Sequence, residues 1–453
     1  MATGSTDERL AQAAAHEQAG RFAEAAALYD AILDAYPRHA DALHLRGIIA
    51  YRQGESARAI ALVERAIAVD DGVALYHRNL CELQRGAGRT DVAVAHGRRA
   101  VALAPDDAHA HYNLGIAHYD RLEIDQATAC QRAALAREPG FAGAHFELAE
   151  TLLLRGDFAA GWEEYEWRWQ LPSAPPAMRT LPAPLWSGEP LGDRRLLLIA
   201  DQGFGDTIQF ARYIPLVAAR GANLIVACSP EMAPLIAPLA GNAPIHTVWD
   251  HLPSFDLQCP LSSLPRAFGT TLESIPAAVP YLRADPAKRA HWQARLDALL
   301  PRGYRRIGLV WAGRPAHEND RNRSLALDRL APLARLARTA LVALQLGPAQ
   351  AQVATFYGAA PLLNLAPEIA EFTDTAAILE NLDLVVAVDT AVAHLAGALG
   401  RPVFVLLPYA PDWRWLLDRA DSPWYPTARL FRQPAPGEWT AAIAMLVTAL
   451  ADL

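Results

Sequence analysis

The stretch Leu196–Pro215, LLLIADQGFGDTIQFARYIP, holds an apolar run, a glycine turn and an amphipathic segment in immediate succession. Leu196 to Ile199 has the continuous apolar character of a strand covered on both faces in a parallel sheet. Gly203 and Gly205 let the backbone turn sharply, and Asp206 with Thr207 offers side-chain oxygens suited to capping a helix start. Ile208, Ala211, Tyr213, Ile214 and Val217 follow at helical spacing, so the segment reads strand, loop, helix. In open α/β sheets ligands bind at the carboxyl ends of strands, which sets Asp206 at the edge of a cleft. A carboxylate at a helix amino terminus is favoured by the dipole and stays ready to accept a hydroxyl proton; the same position also suits a plain cap.

Downstream of this unit, strands and helices keep alternating. Asn223–Cys228, Ile245–Trp249 and Asp256–Gln258 are expected strands of a first lobe, with helices over Asp206–Arg220 and Pro230–Leu239. A second lobe follows the helical stretch Pro286–Leu300. Its expected strands are Ile307–Trp311, Leu341–Leu346, Leu384–Val388 and Val403–Leu407, with helices at Leu327–Ala337, Thr373–Leu379, Ala391–Leu399 and Thr440–Leu453.

Upstream, the chain repeats with a period of 34 residues. Pro37, Asp71, Pro105 and Pro139 close successive units, Gly20, Gly54, Gly88 and Gly156 mark turns, and Ala25, Ala59, Ala93 and Ala127 share a column. Ala66, Ala100 and Ala134 form another, where helices approach too closely for larger side chains. This pattern resembles the tetratricopeptide repeat, with units starting near Thr6, Ala40, Ala74, Ala108 and Ala142 and with Leu122 in place of one turn glycine. Such repeats stack helix pairs into a superhelix with a concave groove. Asn79 and Asn113 occupy one column. Similar repeats of the protein O-GlcNAc transferases carry an asparagine ladder there that holds an extended peptide, while a solvated polar face is the alternative reading. His77, His111 and His145 form a second column; stacked repeats hold such positions too far apart for shared metal ligation, so these read as packing residues.

Between the two regions lies FAAGWEEYEWRWQ, which introduces the first tryptophan of the chain at Trp162, and then the proline-rich Leu171–Trp186. Prolines exclude regular helix and a central strand, leaving an extended connector. The expected organisation is a repeat superhelix over 1–170, a linker over 171–194, and two α/β lobes over 195–285 and 286–453.

Three motifs fit one family. GFGDTIQFARYIPL resembles the start of the heptosyltransferases, VVAVDTAVAHLAGALGRPVFVLL resembles their donor-binding VDTGxxHLAAAxGxP segment, and GLVWAGRPAHENDRNRSLALDRLAPL is similar to the segment facing the donor diphosphate. The resemblance implies a two-lobed GT-B fold of nucleotide-sugar glycosyltransferases, with Asp206 as catalytic base. Gly203, Gly205, Asp389, Thr390, His394, Arg314 and Arg323 would then bind the donor, Arg323 at the family's diphosphate-binding position. Ala391 and the arginine-rich NDRNRSL depart from the family pattern, so the donor sugar is not carried over. Helix capping also explains Asp389 and Thr390, a satisfied buried imidazole explains His394, and a solvated loop explains the arginines. Trp413, Arg414 and Trp415 are placed to clamp a base or sugar, though tryptophans close to a lobe interface are more often packing. The pairing of repeats with such a domain is similar to tetratricopeptide-glycosyltransferase fusions, including flagellin glycosyltransferases, and implies a protein Ser or Thr acceptor held by the repeat groove through Asn79 and Asn113.

Bulk properties narrow the field. The 453 residues carry a net charge of −8, and no basic stripe with interleaved aromatics occurs, which argues against nucleic acid as a partner. Four dispersed cysteines give neither a disulfide framework nor a zinc site. The amino terminus lacks the pattern of a signal peptide and no long apolar run occurs, so a cytoplasmic protein without a membrane span is expected. No Asp-x-Asp pair follows a strand in the lobes. The expected chemistry is metal-independent, inverting sugar transfer, with a nucleotide sugar as co-substrate and no other cofactor. Two alternatives remain: a repeat scaffold with an inactive transferase-like domain, and transfer to a glycan or lipid core.

Overall fold

A computed structural model of the chain describes residues 5–453 other than 176–180, 222, 250, 251, 318, 357, 359 and 361. It divides into two compact units, Met1–Thr151 with Trp167–Ser173, and Leu152–Glu166 with Ala174–Leu453.

The first unit is a run of antiparallel helix pairs. Helices α1 (Thr6–Gln18), α3 (Ala40–Arg52), α5 (Ala74–Gly86), α7 (Ala108–Tyr119) and α9 (Ala142–Leu154) start where the 34-residue repeat places them. The first four pair with α2 (Phe22–Ala35), α4 (Ser56–Val69), α6 (Thr90–Leu103) and α8 (Ile124–Arg137), and α9 is followed in the chain by α10 (Phe158–Tyr165). The two alanine columns are fully buried, as close helix approach requires. Gly20, Gly54, Gly88 and Gly156 turn the chain with φ between 72° and 89°, and Leu122 adopts the same left-handed conformation at φ 58°. The histidine column packs, and it also bonds. Nε2 of His77, His111 and His145 lies 3.1, 2.9 and 2.9 Å from the carbonyls of Asp71, Pro105 and Pro139, tying each helix to the turn that precedes it.

Helix α10 belongs to the second unit, although the 170 boundary expected from sequence puts it with the repeats. Its Phe158, Trp162 and Tyr165 are buried. Trp162 meets Trp413 edge to face at 5.2 Å and donates its indole N–H to the Thr270 carbonyl at 2.9 Å, while Phe158 stacks on Trp424 at 6.1 Å. The proline-rich connector is partly described: residues 176–180 lie outside the described residues, and its end runs beside the first sheet. Trp186 N–H donates to the Gln258 carbonyl, Gln258 N–H to that of Pro184, and the Trp186 side chain is buried.

The first sheet comprises β1 (Arg195–Ile199), β2 (Asn223–Ala227), β3 (Ile245–His246) and β4 (Leu257–Pro260) in the order β3-β2-β1-β4, all parallel. β1 is central, with Leu198 opposite Val226 on one side and Cys259 on the other. The second sheet comprises β5 (Arg305–Val310), β6 (Thr339–Ala343), β7 (Leu362–Asn364), β8 (Leu384–Val388), β9 (Val403–Leu407) and β10 (Ala428–Arg432), in the parallel order β10-β9-β8-β5-β6-β7. An array of helix pairs followed in the chain by two parallel sheets fits the expected repeat plus GT-B-like architecture.

Several elements differ from the expectation, each for a local reason. The single helix over Asp206–Arg220 is three pieces, Phe204–Phe210, a 3-10 turn at Ala211–Tyr213 and Ile214–Ala218, because Pro215 has no N–H to continue the ladder. Leu327–Arg335 is a 3-10 helix containing Pro332. β3 stops at His246, and Val248 and Trp249 are exposed. β7 and β10, unpredicted, are the two edge strands of the second sheet.

Candidate active site

The carboxyl end of β1 leads through Asp201 and Gln202 into the helix Phe204–Phe210. Gly203 is its N-cap and makes no side-chain cap. Asp206 is the third helical residue, so the expected capping role of its side chain is not realised, and the carboxylate is left for other partners. It is 24% exposed, which keeps it out of the packed interior. One oxygen, Oδ1, accepts from Nη2 of Arg414. The other, Oδ2, accepts no hydrogen bond among the described residues, and a Cβ on Gly203 would come within 3.1 Å of it.

Arg414 is nearly inaccessible. Besides Asp206, its Nη1 holds both oxygens of Asp412 at 2.9 Å and its Nε donates to Oε1 of Gln209 at 2.8 Å. Burial would raise the Asp412 carboxyl, but Arg414 holds it below its usual range, and the guanidinium stays charged. Asp412 caps the short turn Trp413–Trp415 by accepting from Arg414 N–H, which places the arginine.

The carboxyl end of β8 leads to Asp389 and Thr390 and then to the helix Ala391–Ala398. Thr390 is the N-cap by backbone only; its hydroxyl donates to the Val388 carbonyl at 3.2 Å. Burial, with the charge of Asp412, pushes the Asp389 carboxyl up, while Arg323 and Arg414 oppose the shift. His394 is buried, its Nδ1 2.9 Å from the Tyr425 hydroxyl, its ring stacked on Trp415, and its Nε2 3.7 Å from Asp389. Burial, aided by Arg414, lowers its pKa to about 3, so the imidazole is neutral. Only its Nε2 edge remains to meet a ligand.

After β5 the chain forms the loop that carries the arginines. Arg323 closes the turn Asp320–Arg323, lies 3.5 Å from Asp320, and packs so tightly over Gly313 that a Cβ there would meet Nη2 at 2.6 Å. Its contact with Asp320 is made by the buried Nε to Oδ1, and the Nε forms no hydrogen bond among the described residues. Its charge acts on Asp389, His394 and His317. Arg314 is exposed. His317, exposed on the same loop, has its pKa lowered by partial desolvation and by Arg323, and its Nδ1 accepts from the Asn319 amide at 3.2 Å.

The structure thus gathers Asp206, Asp389, His394 and Arg323, and adds Asp412, Arg414, Gln209 and His317, which sequence reasoning missed. The signal for Arg414 was present as charge inside the aromatic run WRW, where an arginine among tryptophans needs a carboxylate partner. Asn79 and Asn113 lie in the first unit, on α5 and α7, beside a cleft of about 250 Å³ with Arg78, Glu82, Arg85 and Tyr112. Asn79 Nδ2 is bonded to His44 Nε2 at 2.8 Å and Asn113 Nδ2 to the Arg78 carbonyl at 3.4 Å. Among the described residues no group of three or more His, Cys, Asp or Glu side chains is placed to hold a metal ion.

Residues 331–424, which contain Asp389, Thr390, His394, Asp412 and Arg414, match the model for glycosyltransferase family 9 (heptosyltransferase), and residues 10–74 and 80–127 match that for the tetratricopeptide repeat. The chain carries tetratricopeptide repeats and a glycosyltransferase family 9 domain. Asp206 and Arg323 precede the matched segment of the family 9 domain. Protein FlbA of Caulobacter vibrioides is 29% identical over 330 residues, covering 67% of this chain and 54% of FlbA, so the chain spans about half the length of that curated relative. Among solved structures, the repeats are similar to PilW, described as a widely conserved type IV pilus biogenesis factor, with 22% identity over 38% of this chain and 80% of PilW at a TM-score of 0.35. YrrB, described as a TPR protein with an unusual peptide-binding site, shows 18% identity over 37% of this chain and 86% of YrrB at a TM-score of 0.32.

Proposed function

We propose that the chain transfers a sugar from a nucleotide-sugar donor to the hydroxyl of a protein Ser or Thr, by direct inverting displacement without a metal. The observation that carries the reading is the state of Asp206: one oxygen is anchored by Arg414 and the other is unbonded on a side chain that solvent reaches. As the acceptor oxygen bonds to the anomeric carbon and the bond to the diphosphate breaks, Oδ2 takes the hydroxyl proton. The leaving diphosphate gains negative charge. Arg323, whose charge reaches Asp389 and His394, and the amino end of the helix Ala391–Ala398 supply the positive field that offsets it. Asp389, Thr390 and the Nε2 edge of His394 border that end and orient the donor. Gly203 and Gly205 give the backbone room at the facing helix start.

The repeats supply the acceptor surface, and the cleft between α5 and α7 has the polar and charged lining that a peptide needs. Since the Asn79 and Asn113 amide nitrogens are bonded within the repeats, recognition there rests on the charged side chains beside them as much as on an amide ladder. Flagellin is the acceptor the family resemblance implies, and a cytoplasmic site of action suits a nucleotide-sugar donor. Among the described residues no helix is long and apolar enough to cross a membrane. The competing reading, an inert scaffold, draws on the same Asp206–Arg414 pair taken as a lock.

The two separate on one experiment. Purified protein is screened for stabilisation by nucleoside diphosphates, a bound ligand at 100 times its dissociation constant adding about 2.7 kcal/mol, and then for sugar transfer. Asp206→Asn should keep the stabilisation and lose roughly 10²- to 10⁴-fold in rate. An unchanged rate removes Asp206 from the chemistry, and the absence of both nucleotide binding and turnover in the wild type returns the chain to a scaffold.

A further inference from the structure

We infer that Arg414 is a positioning residue for the base: the second lobe reaches across to the first to fix which oxygen of Asp206 is free to take a proton. The inference rests on the transferase reading above, and its observations are the contacts of the Arg414 guanidinium.

Arg414 sits on the segment between β9 and β10, whereas Asp206 sits on the helix that follows β1. The guanidinium is oriented before it meets Asp206. Its backbone N–H is held by Asp412, its Nη1 is engaged by both Asp412 oxygens, its Nε is satisfied by Gln209, and its Cζ lies 4.2 Å from the Trp413 ring centroid. Three partners define the fork, so the direction of Nη2 is set by the scaffold rather than by Asp206. Gln209 is itself fully buried and lies one turn beyond Asp206 on the same helix. The arginine therefore clamps two successive positions of that helix, 206 and 209, from the other lobe.

This arrangement answers an objection that a base bonded to arginine is spent. A carboxylate has two oxygens, and Arg414 uses Oδ1 alone; its charge is already shared with Asp412, whose two oxygens both engage it. Oδ2 remains unbonded among the described residues. A free carboxylate rotates about χ2 and presents either oxygen; here one bond removes that freedom, and general-base catalysis depends on such placement. Asp206 is thus aligned from the lobe that also carries Asp389 and His394.

The test is a double-variant cycle on the full chain. Turnover of a panel of nucleotide sugars, read as nucleoside diphosphate release with and without an acceptor extract, is measured for the wild type, Arg414→Gln, Arg414→Lys, Asp206→Asn and the Asp206→Asn/Arg414→Gln pair. Arg414→Gln should lower kcat about a hundredfold with donor KM little changed, the double variant should be no slower than Asp206→Asn alone, and Lys, which lacks the fork, should not rescue. Melting curves confirm that each variant is folded. Full activity in a folded Arg414→Gln or Arg414→Lys overturns the inference, as does a double variant whose loss is the product of the two single losses, which marks a structural ion pair. Wild-type protein that turns over no nucleotide sugar overturns the transferase reading, and this role falls with it.

Discussion

The Cδ2 atom of His394 lies 2.9 Å from where a Cβ on Gly205 would stand, so the two helices that open the site touch at a point where only glycine fits. The neighbour is an aromatic ring stacked on Trp415 and bonded to Tyr425, and it has no room to yield. Gly205→Ala should therefore force the Phe204–Phe210 and Ala391–Ala398 helices apart. Overpacking of this kind costs about 1–3 kcal/mol. The expected result is a lower melting temperature together with weaker stabilisation by nucleoside diphosphates. A variant that melts and binds like the wild type would show that the contact is not maintained in solution.

Acid should weaken the repeats through buried imidazoles. His44 is buried beside Asn79, and burial lowers its pKa to about 4 against the opposing charge of Asp41. An unfolded histidine titrates near 6.5, so the unfolded chain binds the proton more readily, and stability present above pH 6.5 is lost as pH falls toward 4. Between pH 7 and pH 5 this one group removes roughly 2 kcal/mol. His77 and His96 add to it in the same direction: burial lowers both, and their Nδ1 atoms, 2.9 Å apart, share at most one proton. Thermal melts of the repeat fragment should drop steadily from pH 7 to pH 5, and His44→Gln should flatten the slope. A midpoint independent of pH over that range would contradict the assignment.

Much of this was legible before any coordinates. Repeat starts could be read to the residue because glycine turns and alanine columns are demanded by backbone and packing geometry that recurs at each unit. β8 and β9 were equally plain, as continuous apolar runs buried on both faces. Reading failed where a residue's partner is distant in sequence. Arg414 belongs to Asp206, 208 positions away, and nothing in WRW names that carboxylate. Trp162 pairs with Trp413 and Thr270, so α10, which the local pattern groups with the repeats, packs within the second unit. β7 and β10 were missed because edge strands carry fewer buried residues than central ones.

Leu122 holds a φ of 58° at the turn where four other repeats place glycine with φ above 70°. A left-handed conformation costs an ordinary residue about 1–2 kcal/mol. Glycine removes that strain and returns about 0.5–1 kcal/mol of it as lost chain entropy. Leu122→Gly should stabilise the repeats by roughly 0.5–1 kcal/mol, read as a slightly higher melting temperature. A clear drop would mean that the half-buried Leu122 side chain contributes packing worth more than the strain it imposes.

The aromatic contacts of α10 predict where the chain can be cut. Trp162 lies between Phe158, Tyr165 and Trp413, with ring centroids 5.5, 6.1 and 5.2 Å away, and all four rings are buried in the second unit. Truncating a buried aromatic to alanine costs about 3–5 kcal/mol, so Trp162→Ala should destabilise the α/β unit rather than the repeats. A fragment of residues 171–453, cut at the proline-rich connector, removes the whole of α10 and uncovers Trp413 and Trp424 together. It should aggregate or lose the near-ultraviolet signature of packed tryptophans. A fragment of 142–453, which retains α9 and α10, should fold with a single sharp transition and keep any nucleotide binding that the full chain shows. Equal stability of the two fragments would mean that the WEEYEW helix only rests on the α/β unit. A stable 142–453 beside an unstable 171–453 would make it a structural part of the site that Trp413 and Arg414 build.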